Sequence, residues 1–509
     1  MRKQNIVQGT IFLIVVMAMI KILGLINRFF IARLLTPEGF AVYMLVMPTF
    51  LLLLSLAQFG FPISITKLVS ENTVYKTTTN KTILFSALKI SLFNSSVLIA
   101  ALLFSARYLA HHLLHDPRTY YPLLALTYLI PLVSFSSIIK SYLHGLHIIS
   151  LPAYAQLLEQ IARIVFSILF VFLLRPYGIS LAVAGSIAAI AIGELVAIIY
   201  LLFRLLDRQR IRYLFKPLKL SYNPTRDILR LSIPATGNRL VGTVTHFFEP
   251  IIFVKAMVSL GVGSSYTTRL YGQISGYVIS TLTVPTFVVI AIATTLLPVM
   301  TEAYARGNTE QIVSHFNQSL LLSYLVGAIY LIINMVFPET VMMILFGTTE
   351  GSRFLTLLAP FFIFYYFEQP LQQTLYAINQ GKFYLMTTLF CNTLKLALIY
   401  LLVSKRQLHV YGLLIAIAVN ILLIVLTSYI ALKRHIHLTL RWKNIISCLM
   451  IAFTTYWFGT MIRTTPLPAT ISLLLTVLFY IMVVLLFNVG QFRSLILKAV
   501  RYPDDQKLG

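Results

Sequence analysis

Acidic residues are scarce in this sequence. There are 15 Asp and Glu against 40 Lys and Arg, and charged residues of both signs make up only 11% of the chain. A soluble domain is about 25% charged and about 45–50% apolar. Here 58% of residues are hydrophobic and the mean hydropathy is +0.86. That excludes the soluble classes and leaves an all-α polytopic membrane protein. Cysteine is scarcer still. Cys391 and Cys448 both fall in apolar segments, which excludes a disulfide framework and carries no information on redox compartment. Nucleotide and hydrolase signatures are missing too: there is no G-x-x-x-x-G-K-[ST], no G-x-S-x-G and no H-E-x-x-H. No ATP-driven engine, cofactor or metal is therefore expected. Large hydrophilic loops are lacking, which argues against an extramembrane active site, and the chain is read as not an enzyme.

What is present in excess is positive charge, +25 in net terms. Nucleic acid is rejected as a partner, because the cations lie in short loops between apolar spans. That is where the positive-inside rule puts them. The N-terminus, "MRKQNIVQGT", is basic and then apolar. Its apolar run lacks a small-residue cleavage site, so it is expected to be a retained first span.

A membrane helix needs about 20 mostly apolar residues, and about fourteen such segments follow one another. They centre near residues 20, 54, 97, 130, 162, 190, 242, 286, 330, 366, 394, 421, 452 and 477. Pro48, Pro62, Pro131, Pro234, Pro250, Pro285, Pro298 and Pro360 interrupt several of them. With the N-terminus inside, inner loops and tails hold 24 Lys and Arg, Lys140 among them, outer loops hold 10, and six lie in spans. This bias predicts both termini in the cytoplasm.

Three short matches recur at nearly constant offset. "FPISITKLVSE" (61–71) resembles "LPVMTEAYARG" (297–307), "PYGISLAVAG" resembles "VYGLLIAIAV", and "SYLHGLH" resembles "TLYAINQ", at offsets of 236, 234 and 232. An offset of six spans preserves orientation, which predicts two parallel-repeat lobes about an axis along the membrane normal. The expected division is an N-lobe over 1–203, a basic cytoplasmic linker over 204–227 and a C-lobe over 228–434. Two further spans and a cytoplasmic tail occupy 435–509. Two such lobes are expected to enclose a cavity and alternate its access.

The six cations inside spans are Lys21, Lys89, Arg28, Arg163, Arg239 and Lys395. A charge at the bilayer centre costs roughly 2.5–3.5 kcal/mol on insertion scales, so each is a functional candidate. Lys21 and Arg28 are seven apart and share a helix face, with Gly24 thinning the helix between them. Lys21 reads as lining an aqueous cavity. Arg239 follows an expected break at Pro234 and Gly237. Two readings stand for Arg28 and Arg239, cavity lining or snorkelling to the interface. Glu249 is a candidate for ion coupling or a counter-charge. Glu159 and Arg163, four apart, read as a structural ion pair. Glu194, Glu368, Lys89 and Lys395 are left without a role, although Lys395 holds the place in the second repeat that Arg163 holds in the first. His111 and His115 in "HHLLH" read as a solvated outer-loop cluster rather than a zinc site. Deep cations in the first lobe point to an anionic substrate.

The stretches 21–71, "RPYGI" (175–179), "SIPATGNRLVGTVTHFFEPI" (232–251) and "APFFIFYYFEQPLQQTLYAIN" (359–379) resemble a known family. It is the polysaccharide-exporter branch of the multidrug/oligosaccharidyl-lipid/polysaccharide flippase superfamily, which includes the lipid II flippase. The resemblance covers essentially the whole chain. It implies a fourteen-helix exporter in the cytoplasmic membrane of a spore-forming bacterium, serving spore cortex synthesis. The implied substrate is a polyprenyl-pyrophosphate-linked glycan, with lipid II as the expected form. The implied partners are membrane lipids and cortex-synthesis membrane proteins. Lys21 stands where the lipid II flippase carries a cavity arginine. Asn27 stands where a second is expected, and the stretches around Leu53 and Ser280 lack two more. Lys21, Arg28 and Arg239 are the expected substrate-binding residues, with Arg28 and Arg239 compensating. The alternatives are a cation-coupled multidrug exporter on the same fold and a non-transporting scaffold.

Overall fold

A computed structural model describes residues 6–75, 80–146, 148, 150–206, 224–436 and 442–500. Helix is the only regular structure among them. Most of the linker expected at 204–227 and the end of the C-terminal tail lie outside the described residues.

The first helices are α1 (Ile6–Leu34), α2 (Pro37–Gln58), α3 (Phe61–Tyr75), α4 (Asn80–Tyr108), α5 (Tyr120–Gly145), α6 (Ser150–Leu174) and α7 (Ile179–Leu206). Then come α8 (Thr225–Ser259), α9 (Ser264–Tyr271), α10 (Thr286–Ala305), α11 (Thr309–Val336) and α12 (Pro338–Phe346). The last are α13 (Ser352–Ala377), α14 (Gly381–Val403), α15 (Tyr411–His435), α16 (Trp442–Arg463) and α17 (Ala469–Val500). Every one of the fourteen expected centres falls on a helix. Among the described residues, ten helices are long and apolar enough to cross a membrane, or eleven if one bent pair is a single span.

The helix ends follow local chemistry. At the start of α2, Thr36 Oγ1 accepts from the Gly39 N–H at 3.2 Å and Pro37 occupies the first turn. The helix stops where Phe59 and Gly60 turn left-handed, at φ 43° and 63°. The expected break at Pro62 therefore lies just inside the first turn of α3. Pro250 behaves otherwise: it is buried and α8 runs through it. The bend in α8, 44° between Thr225–Gly237 and Gly242–Ser259, sits at the glycines instead. After α9 the chain continues as a π-helical stretch, Gly272–Ile279, and one turn over Ser280–Leu282 before α10.

The chain divides into two compact units. One comprises 1–276 with 392–416, the other 277–391 with 417–509. In the first unit α6 and α7 pack along each other, α5 lies on α7, and α1 lies on α6. There α2 and α3 also pack on α8, and α2 on α9. A Cβ at Gly60 would stand 2.5 Å from the Ser232 carbonyl oxygen, so α3 meets α8 where a side chain cannot fit. Ser232 Oγ seals that crossing by donating to Ser64 Oγ at 2.7 Å. In the second unit α11 is the hub, packing on α10, α13 and α16. Tyr366 on α13 lies against Gly327 of α11 and donates its hydroxyl to the Leu282 carbonyl at 2.7 Å.

Candidate functional site

The candidate residues are built up helix by helix within the first unit. Gly24 of α1 faces α6, where a Cβ would come within 3.0 Å of Gln160 Nε2. That close approach sets the roll of α1 and therefore of Lys21 and Arg28, which share its face. Lys21 is exposed and Arg28 is half-buried. Tyr43, a buried residue of α2, lies within electrostatic reach of both Arg28 and Arg163. Asn27 is only 7% exposed, and its Oδ1 has no hydrogen-bond partner among the described residues. Two guanidinium groups and a phenol thus converge where α1, α2 and α6 meet. A cation as far buried as Arg163 is unfavourable without anionic company.

Arg163 has that company. On α6, Arg163 donates through Nη2 to Glu159 Oε1 at 2.7 Å. Lys140 of α5 reaches the other oxygen of Glu159 at 2.9 Å and Glu194 of α7 at 3.3 Å. The four side chains are 10–21% exposed, and they join three helices into one network. The sequence reading counts Lys140 with the inner-loop cations. The structure corrects this: Lys140 lies within α5, five residues before its end. The sequence shows only that Glu159 and Glu194 in adjacent spans outnumber Arg163, and does not point to Lys140 as the further cation.

Arg239 and Glu249 occupy α8. Arg239 falls in the stretch between the two straight halves of that helix, is exposed, and donates to Gln58 Oε1 of α2 at 2.5 Å. Glu249 is deep in the other half. It accepts from Lys395 Nζ of α14 at 2.7 Å, with the two side chains 8% and 7% exposed. Arg239 is thus engaged with α2, while Glu249 is held by Lys395. In the second unit Glu368 accepts from Tyr384 Oη at 2.8 Å. No group of three or more His, Cys, Asp or Glu able to hold a metal occurs among the described residues.

The chain that carries this site has relatives. The sequence profile of the polysaccharide biosynthesis protein family matches residues 6–304. The chain belongs to that family. The MatE profile also matches, over residues 273–401. Among individual members, stage V sporulation protein B of Bacillus subtilis (strain 168) is 32% identical over 451 residues, 87% of this chain and 86% of that one. Lipid II flippase MurJ of the same strain is 22% identical over 456 residues, 85% of this chain and 83% of that one. A solved structure of lipid II flippase MurJ, in an inward closed conformation, superposes with a TM-score of 0.74. It covers 96% of this chain and 100% of that one at 14% identity, which establishes the shared fold. This member of the family is accordingly a multi-pass cell-membrane transporter of the flippase superfamily, and not an enzyme.

Proposed function

We propose that the chain flips an undecaprenyl-pyrophosphate-linked sugar precursor, with lipid II as the favoured cargo, from the inner to the outer leaflet for spore cortex synthesis. The observation that carries this reading is the cationic meeting of α1, α2 and α6. Lys21 is open, and Arg28 and Arg163 both act on Tyr43. A pyrophosphate has charge and oxygen acceptors enough to satisfy such a group, and guanidinium forks match phosphate geometry. Lys21, Arg28 and Arg239 hold the pyrophosphate. Glu159 and Arg163 serve as structure, and Glu249 serves charge balance or ion coupling. The glycan headgroup crosses in a cavity between two lobes that rock, while the polyprenyl tail remains in lipid. The arrangement proposed is fourteen spans with both termini in the cytoplasm and the lobe boundaries derived from the repeat. Cortex-synthesis membrane proteins are the proposed protein partners.

The multidrug alternative requires open acids in the first lobe. Its two span-borne acids, Glu159 and Glu194, are already engaged by Lys140 and Arg163, which favours an anionic cargo.

The test is leaflet exchange of fluorescent lipid II in proteoliposomes, read by quencher accessibility under imposed ion gradients and potential. Wild type is expected to accelerate exchange. The Lys21→Ala/Arg28→Ala double variant, and the triple variant adding Arg239→Ala, are expected to lose most of it. Unchanged exchange in the triple variant would remove these residues from the site. No exchange by wild type under any gradient would turn the search to other polyprenyl-linked glycans or to the scaffold reading.

A further inference from the structure

The contact between Glu249 and Lys395 is unusual in its setting. Each residue lies in the apolar stretch of a helix, α8 and α14, and each is 6% exposed. They are 146 residues apart in the chain, yet the carboxylate and ammonium meet at 2.7 Å. Such a pair is costly to desolvate and is often no better for stability than a well-packed apolar pair. Its persistence therefore needs a reason other than stability. The remaining groups acting on Glu249 do not neutralise it. His246, one turn away on α8, is 4.0 Å from the same oxygen and 60% exposed, and Tyr271 of α9 is a neutral phenol. The negative charge of Glu249 is met at hydrogen-bond distance by Lys395, with His246 the other basic group near it, at 4.0 Å.

A buried carboxylate in a membrane transporter has the chemistry of a site for a monovalent cation, either a proton or a hard ion such as sodium. We infer that Lys395 is a tethered counter-cation filling a latent monovalent-cation site at Glu249, so that this transporter needs no soluble cation there. This deepens the reading of Glu249 given above and rests on its place in the transport machinery. The amine is covalently attached, so the site is occupied at every ion concentration. Removing the amine while keeping the acid should expose the latent site and create a dependence that the natural chain lacks.

Thermal unfolding of the full chain in lipid nanodiscs tests this, in sodium chloride against choline chloride at equal ionic strength and at neutral against mildly acidic pH. A ligand that binds only the folded state raises its melting temperature, so a filled site gives a shift and a blocked one gives none. Wild type is expected to melt alike in both salts. Lys395→Met keeps the side-chain length without the charge. It is expected to melt lower in choline at neutral pH and to recover with sodium or acid. Lys395→Arg is expected to behave as wild type. Glu249→Gln/Lys395→Met, with neither charge, is expected to lose the dependence and to fold even where Lys395→Met alone does not. The inference is overturned if wild type is stabilised by sodium and Glu249→Gln abolishes this. It is equally overturned if folded Lys395→Met responds to neither cation nor pH, or if the double variant fails to fold along with the single. Melting involves no cargo, so failure of lipid flipping leaves these outcomes readable.

Discussion

At the scale of single residues, the first unit is governed by buried charges that answer one another across helices. Glu159 is the pivot, since it accepts from both Lys140 and Arg163. Removing one partner of a buried ion pair costs about 3–5 kcal/mol, because the other charge is left without compensation. The network is 10–21% exposed, so solvent screens part of that. Glu159→Gln is expected to lower stability by about 2 kcal/mol. Glu159→Gln/Arg163→Met should be less destabilised than the single variant, because it no longer strands the guanidinium. Unfolding in detergent measures both, and equal losses in the two variants would mean the charges are not coupled. The i,i+4 spacing of Glu159 and Arg163 was readable from sequence because it is local. Lys140 was not, since its partners lie 19 and 54 residues away and only packing brings α5 to α6 and α7.

At the scale of helices, the decisive features are places where backbones come too close for a side chain. A Cβ at Gly272 would stand 2.5 Å from Ala41 Cα, where α2 passes the end of α9. Overpacking a well-packed contact costs typically 1–3 kcal/mol. Gly272→Val is expected to lower the melting temperature and to slow transport, and Ala41→Gly in the same chain should restore part of both. A Gly272→Val chain as stable and as active as wild type would show that this crossing is not tight. The break expected at Pro234 and Gly237 lies beside the observed bend of α8, whereas Pro250 does not bend it. Proline removes a donor, but a bundle can satisfy what it frees. The bend falls instead between Gly237 and Gly242, neither of which has a neighbour within 4 Å of a notional Cβ. Proline is easy to see in a sequence, whereas the absence of packing around a glycine is a tertiary fact.

At the scale of the whole molecule, the proposed topology makes opposite predictions for two exposed loop positions. Arg306 follows the eighth span and Lys405 the eleventh, and both are exposed. The two native cysteines are buried, so background labelling is low. A cysteine at Arg306 is expected to react with an impermeant maleimide only from the cytoplasmic side, and one at Lys405 only from the outside. Labelling of both from one side would overturn the fourteen-span, N-in arrangement.

The membrane class, the positions of the helices and the excess of cations over acids were determined by the sequence by itself. Hydropathy over about 20 residues is a local sum, and the bilayer enforces it segment by segment. Partnership was decided only in the tertiary structure. Lys395 was a cation without a role until its ammonium was found at Glu249, and Glu249 was equally open to a proton, an ion or a counter-charge. A buried charge must be met within a few ångströms, and which helix supplies the partner is settled by how the helices pack. A linear sequence holds both residues but not the 2.7 Å between them.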